Sequence, residues 1–141
     1  MYISIALELL HGKSIETAYQ QGIQRAEEFY RDSIYKPELS HYQRIFDENL
    51  ATLPIHELQS SGYVVHALEA ALWCCLNHDN YQDTVLAAVN LGDDTDTTAA
   101  IAGGLAGLHY GLDNIPPDWL AQIPRRDDIL QLGDRLFRAI C

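Results

Sequence analysis

Residues 62–76 read GYVVHALEAALWCCL, with no proline and only the opening glycine to interrupt a helix. Val64, Ala67, Leu68, Ala71, Leu72, Cys75 and Leu76 fall on one broad face, and Val65, Trp73 and Cys74 carry it almost all the way round. A helix that is apolar on nearly every side is stable in water only with neighbours on several sides. The segment therefore predicts a central helix in a helical bundle.

The rest of the chain supplies those neighbours. Apolar residues over 3–10 suit a short helix that Gly12 stops, and Ser14 then offers an N-cap hydroxyl to a longer one. Its stripe is Ile15, Ala18, Tyr19, Ile23, Ala26 and Tyr30. Gly22 lies inside that pattern, where it marks either a close helix contact or a surface defect. Pro37 opens a third amphipathic helix carrying Leu39, Tyr42, Ile45, Phe46, Asn49, Leu50 and Leu53 as far as Pro54. Asn80 and Asp83 have capping-box spacing, ahead of a helix that Gly92 ends. An alanine- and glycine-rich helix follows, then a short element around Trp119 and Leu120. A last helix from about Arg126 is expected to lay Ile129, Leu130, Leu132, Leu136, Phe137 and Ile140 against the body. No stretch alternates as a strand would and no repeat is present, so the fold class is all-α and bundle-like, one unit over residues 1–141.

Nine basic residues against twenty acidic ones give a net charge of −11. That balance disfavours nucleic acid and permits cation binding. Three cysteines without regular spacing signal neither a disulfide scaffold nor a zinc knuckle, which fits a reducing cytoplasm. No apolar run approaches the roughly 18 residues of a membrane span, and the first residues lack the basic leader of an exported chain. A cytoplasmic protein with no membrane contact is expected.

The sharpest local feature is Asp93, Asp94, Thr95, Asp96, Thr97 and Thr98 directly after Gly92. Carboxylates this close disfavour their own ionisation unless donors or a cation offset them. The start of a helix provides free N–H groups and the positive end of the dipole. Positions two apart diverge inside a helix but converge at a loop-to-helix junction. Asp94 at the cap, Asp96 in the first turn and Thr97 behind it would then face one hard divalent ion such as Mg2+ or Mn2+. A capped, solvated acidic turn satisfies the same spacing. The EF-hand pattern is absent, for neither its glycine nor its glutamate is in place.

The run GDDTDTTAAIAGGLAG from Gly92 to Gly107, followed by Tyr110-Gly111, Ile115-Pro116 and Trp119-Leu120, resembles the C-terminal part of the ADP-ribosylglycohydrolase family. Upstream, SGYVVHALEAALW from Ser61 to Trp73 is similar to the family's preceding stretch. The resemblance implies an all-helical fold and two Mg2+ or Mn2+ ions that serve hydrolysis of the glycosidic bond between ADP-ribose and a protein or other acceptor. It places metal ligation on Asp94, Asp96 and Thr97, with Asp94 and Asp96 catalytic, and ADP-ribose contacts on Ser61, Gly62 and Tyr63. Asp93 stands where many members have a second glycine. The family's N-terminal glycine-rich GD segment and Thr-Asp-Asp triplet have no counterpart before Gly92.

The resemblance thus implies a single helical domain or a C-terminal fragment of a larger helical enzyme, weak or inactive alone. Its expected partners are ADP-ribose or an ADP-ribosylated substrate, and a missing N-terminal half or a second copy. The alternative is a non-catalytic ADP-ribose-binding or protein-interaction module. His66 and His109 read as boundary histidines, Cys74 and Cys75 as an inert buried pair, and Trp119 as a packing anchor.

Overall fold

A computed structural model describes residues 1–47 and 49–140, and all regular structure among them is helical. Cys141 lies outside the described residues. The chain runs through α1 (Tyr2–Leu10), α2 (Ile15–Arg31), a 3-10 segment (Lys36–Tyr42), the single turn α3 (Gln43–Phe46), α4 (Val64–Asn77), α5 (Tyr81–Asn90), α6 (Thr95–Tyr110), α7 (Pro117–Gln122) and α8 (Arg126–Ile140). No helix among the described residues is long and apolar enough to cross a membrane.

The caps expected from sequence are in place. Ser14 Oγ accepts from the Thr17 N–H at the start of α2. At α5, Asn80 Oδ1 accepts from the Asp83 N–H while its Nδ2 donates back to the Asp83 carboxylate. α4 is the central helix: Val65, Ala67, Leu68, Ala70, Ala71, Leu72, Cys74 and Cys75 are buried, with α2, α5 and α6 packed around them. Val64 is exposed instead of joining that face, because it opens the first turn, before α4 is enclosed.

Glycines set the spacing between helices. A Cβ on Gly22 would lie 2.6–2.7 Å from Ile5 side-chain and backbone atoms, so α1 crosses α2 directly over this residue. Gly104 of α6 receives the Tyr2 hydroxyl, and Gly103 lies beside Tyr81 of α5. Two buried acids are answered by arginines: Glu8 by Arg25 at 2.7 Å and Glu69 by Arg44 at 3.1 Å. Burial raises the Glu69 pKa, while Arg44 and then His66 pull it back down.

Two expectations are corrected. The third amphipathic helix is instead a 3-10 segment, the turn α3 and further short 3-10 turns at Leu50–Thr52 and Ile55–Glu57. Leu39, Tyr42 and Ile45 recur every three residues, which matches the 3-10 repeat. Ile45 and Leu50 are nonetheless fully buried, and the Tyr19 hydroxyl donates to the Ile45 carbonyl. The second correction is α8. It forms where expected but buries none of its residues, so its apolar stripe does not lie against the body.

Candidate functional site

Two chain segments meet at the N-terminus of α6. Gly92 and Asp93 both take positive φ, +86° and +59°, and this turn swings the chain into the helix. Asp94 is the N-cap and Asp96 lies in the first turn, the junction anticipated from the sequence. Thr98 Oγ1 donates to the Asp94 carbonyl, which steadies that first turn.

The carboxyl of Asp94 makes no capping bond to the helix. Hydrogen bonding, first with the Asp94 side chain and then from the backbone N–H groups of Thr97 and Asp96, holds the Asp96 carboxyl below its ordinary pKa. Neighbouring carboxylates resist joint ionisation unless donors or a cation offset them. Thr97 is exposed in the same turn.

The segment before α4 presses on this pair from the other side. The Asp94 N–H donates to the Ser60 carbonyl at 3.1 Å, and the Ser60 hydroxyl donates to the Gly92 carbonyl at 2.8 Å. These two bonds bring Gly62 so close that a Cβ there would stand 2.8 Å from Asp94 Oδ2. Only a glycine leaves the carboxylate in its place. Gly62 thus meets a metal-ligand candidate as well as lying in the stretch expected to contact ADP-ribose.

Ser61 Oγ lies 2.8 Å from His66 Nδ1 and accepts weakly from the Tyr63 N–H at 3.4 Å. Tyr63 packs edge-on against the His66 ring with centroids 5.0 Å apart, and its own ring remains about half exposed. Of this stretch Gly62 is the residue set against Asp94, while Ser61 and Tyr63 gather around His66. Ser60, which carries no signal in the sequence, and His66, read there as a boundary histidine, belong to the same arrangement. A histidine five residues after Ser61, at a helix start, was the available signal.

The donor set is hard, anionic oxygen with no sulfur, the chemistry that Mg2+ and Mn2+ accept. Among the described residues no group of three or more His, Cys, Asp or Glu side chains comes together as a metal cluster. Asp94, Asp96 and Thr97 lie within four consecutive residues at the start of α6. The remaining reactive residue types are structural. Cys74 and Cys75 are free and buried, and burial pushes both thiols up to about 12. Trp119 packs against Tyr81, and His78 Nδ1 bonds the Cys74 carbonyl at the end of α4.

A family model described as ADP-ribosylglycohydrolase matches residues 1–141. The ADP-ribosylarginine hydrolase Tri1 of Serratia proteamaculans is 48% identical over 81 residues, 57% of this chain and 22% of that protein. The ADP-ribosyl-dinitrogen reductase glycohydrolase of Rhodospirillum rubrum is 42% identical over 65 residues, 46% of this chain and 22% of its own length. The ADP-ribosylhydrolase ARH3 of Bos taurus is 25% identical over 141 residues, 91% of this chain and 39% of that protein. The chain spans between about a fifth and two fifths of the length of these relatives. With the whole of it matched by the family model, the chain belongs to the ADP-ribosylglycohydrolase family.

Proposed function

We propose that this chain contributes the C-terminal part of the active site of a Mg2+- or Mn2+-dependent hydrolase that cleaves the bond between ADP-ribose and a protein or other acceptor. The observation that carries the reading is Asp94 at the N-cap of α6 with Asp96 in the first turn and Gly62 pressed against the Asp94 carboxylate. The turn that carries them is tied by the Ser60–Gly92 bond to a segment 32 residues away.

In this reading Asp94 and Asp96 hold the ion and Thr97 adds an oxygen. A bound divalent ion would lower the pKa of water and offset negative charge developing at the sugar. The residues of this chain do the positioning. Ser60 fixes the acidic turn, Gly62 keeps Asp94 facing Asp96, and Ser61, Gly62 and Tyr63 form the lip that receives ADP-ribose. Tyr63 offers an exposed ring with a polar tip, which suits a nucleotide. As its ligands, Asp94 and Asp96 would set where such an ion stands relative to the bond to be cleaved. The names of the relatives support the substrate class, and the two free thiols are compatible with a cytoplasmic setting.

Three donors leave a two-ion site incomplete, so the chain alone is expected to turn over slowly or not at all. The further carboxylates would come from residues outside this sequence, in line with the greater length of the relatives. The shortage of donors also favours a second reading, a module that binds ADP-ribose or another protein without cleaving anything.

Titration with ADP-ribose, with and without Mn2+, together with release of ADP-ribose from a modified protein, separates the two. Turnover that disappears in Asp94→Asn supports the enzyme, and binding without turnover supports the module. Absence of any response to ADP-ribose and Mn2+ removes the enzyme and the ADP-ribose-binding module and leaves a protein-interaction module.

A further inference from the structure

α4 begins without the usual cap. Tyr63 is its N-cap, and the Tyr63 side chain makes no capping bond. What steadies this helix start lies two residues upstream. The Tyr63 N–H donates to Ser61 Oγ at 3.4 Å, and that oxygen lies 2.8 Å from Nδ1 of His66, the third residue of the helix. In a capping box the side chain at the third position reaches back to the N-cap N–H directly. Here the reach is relayed through one hydroxyl. Because Ser61 Oγ accepts from Tyr63, its own proton is available to Nδ1, which makes His66 the acceptor that closes the loop.

The imidazole is itself held in place. Tyr63 packs edge-on against it, with centroids 5.0 Å apart. Burial raises the pKa of Glu69, one turn further along α4, and Arg44 and then His66 pull it back down, so the ring lies within reach of that buried acid.

Gly62 is the residue inside the closed loop. It is exposed, and a Cβ on it would stand 2.8 Å from Asp94 Oδ2. Just before it, Ser60 is tied to the acidic turn through the Asp94 N–H at 3.1 Å and the Gly92 carbonyl at 2.8 Å. Ser60 thus fastens one end of the segment 60–63 to the start of α6, and the Ser61–His66 bond fastens the other to α4. Where Gly62 stands against Asp94 follows from both.

We propose that His66 is a positioning residue for Asp94: through Ser61 it fixes Gly62 against the Asp94 carboxylate, and so raises the affinity of this turn for a divalent ion. The gain in affinity rests on the reading of Asp94 and Asp96 as ion ligands, whereas the hold on Gly62 does not. In this role His66 itself touches neither ion nor substrate.

Two measurements on the full chain test it: Mn2+ affinity by electron paramagnetic resonance, and amide hydrogen exchange at Tyr63 and Asp94. His66→Ala should weaken Mn2+ binding about tenfold, the usual effect of losing a group that supports a ligand, and speed exchange at both amides while the helical spectrum stays unchanged. His66→Asn, whose side-chain oxygen accepts from Ser61 as Nδ1 does, should restore both. Ser61→Ala should match His66→Ala, and the double variant should be no worse than either, because one link is lost in each case. A His66→Ala chain that binds Mn2+ like the parent overturns the proposal, as does a His66→Asn chain that rescues nothing, or single effects that add in full. Should the parent bind no Mn2+, the reading of the ion ligands falls by itself, and exchange at Asp94 still decides the His66 link: faster exchange in His66→Ala upholds it, and unchanged exchange overturns it in either case.

Discussion

Gly22→Ala is the substitution whose outcome the packing dictates most sharply. The new methyl would lie 2.6 Å from Ile5 Cγ1 and 2.7 Å from both Cα and N of Ile5. Carbon atoms attract best at about 3.5–4.0 Å, so the overlap is close to 1 Å. A rotamer change at Ile5 clears only one of the three contacts, since the other two are backbone. α1 must therefore lift from α2, and it carries with it Tyr2, which packs on Gly104 of α6, and the buried Ile5, Ala6 and Leu9. Overpacking that forces backbone shifts costs about 1–3 kcal/mol, and the upper end applies here. Replacing a helical glycine by alanine returns about 0.8–1 kcal/mol. The net loss is about 2 kcal/mol. For a chain of this size the melting temperature should fall by about 8 °C, read by far-ultraviolet circular dichroism and checked against a urea midpoint that moves at unchanged slope. An alanine variant as stable as the parent, or more so, would refute the close crossing of α1 over α2.

Gly62→Ala should divide stability from binding: the clash is with the end of one side chain, so the melt changes little. Displacing Asp94 should nevertheless weaken Mn2+ binding about 10–100-fold, the usual effect of disturbing a group that supports a ligand. At Asp93, where φ is +59°, replacement by glycine should leave stability equal or up to about 1 kcal/mol higher, whereas Asp93→Val should cost about 1–2 kcal/mol in the same urea assay. Alkaline titration should show Tyr19 as the latest tyrosine, behind Tyr2, Tyr42, Tyr81 and Tyr110, which burial also raises. Burial, with Asp47 and Glu69 adding to it, raises Tyr19 to about 12, so its stabilising contribution is complete below the unfolded value of about 10 and is lost as pH climbs toward 12. All eight tyrosines ionising together near pH 10 in the folded chain would contradict that burial.

What could be read from the residues depended on whether one local signal or several distant ones decided the outcome. Ser14, the Asn80–Asp83 box and the apolar run of α4 each act within a few residues, and the structure has all three as expected. The three-residue recurrence of Leu39, Tyr42 and Ile45 fits a 3-10 segment as well as one side of an α-helix, and tertiary packing of Ile45 and Leu50 decided between them. α8 has a correct period but no surface to meet, and periodicity says nothing about whether a partner is present. At the site, the junction of Asp94 and Asp96 followed from helix geometry. The bonds from Ser60 to Gly92 and Asp94 span more than thirty residues and had no local signature.

Mn2+ titration of the full chain by electron paramagnetic resonance, at neutral pH and low salt, addresses the shared position of Asp94 and Asp96 most directly. The account predicts saturable binding of Mn2+ that weakens by at least about tenfold in Asp96→Asn and in Asp94→Asn, with both variants still folded. Wild-type chain that leaves the free Mn2+ signal unchanged, or variants that bind as tightly as the parent, would contradict it.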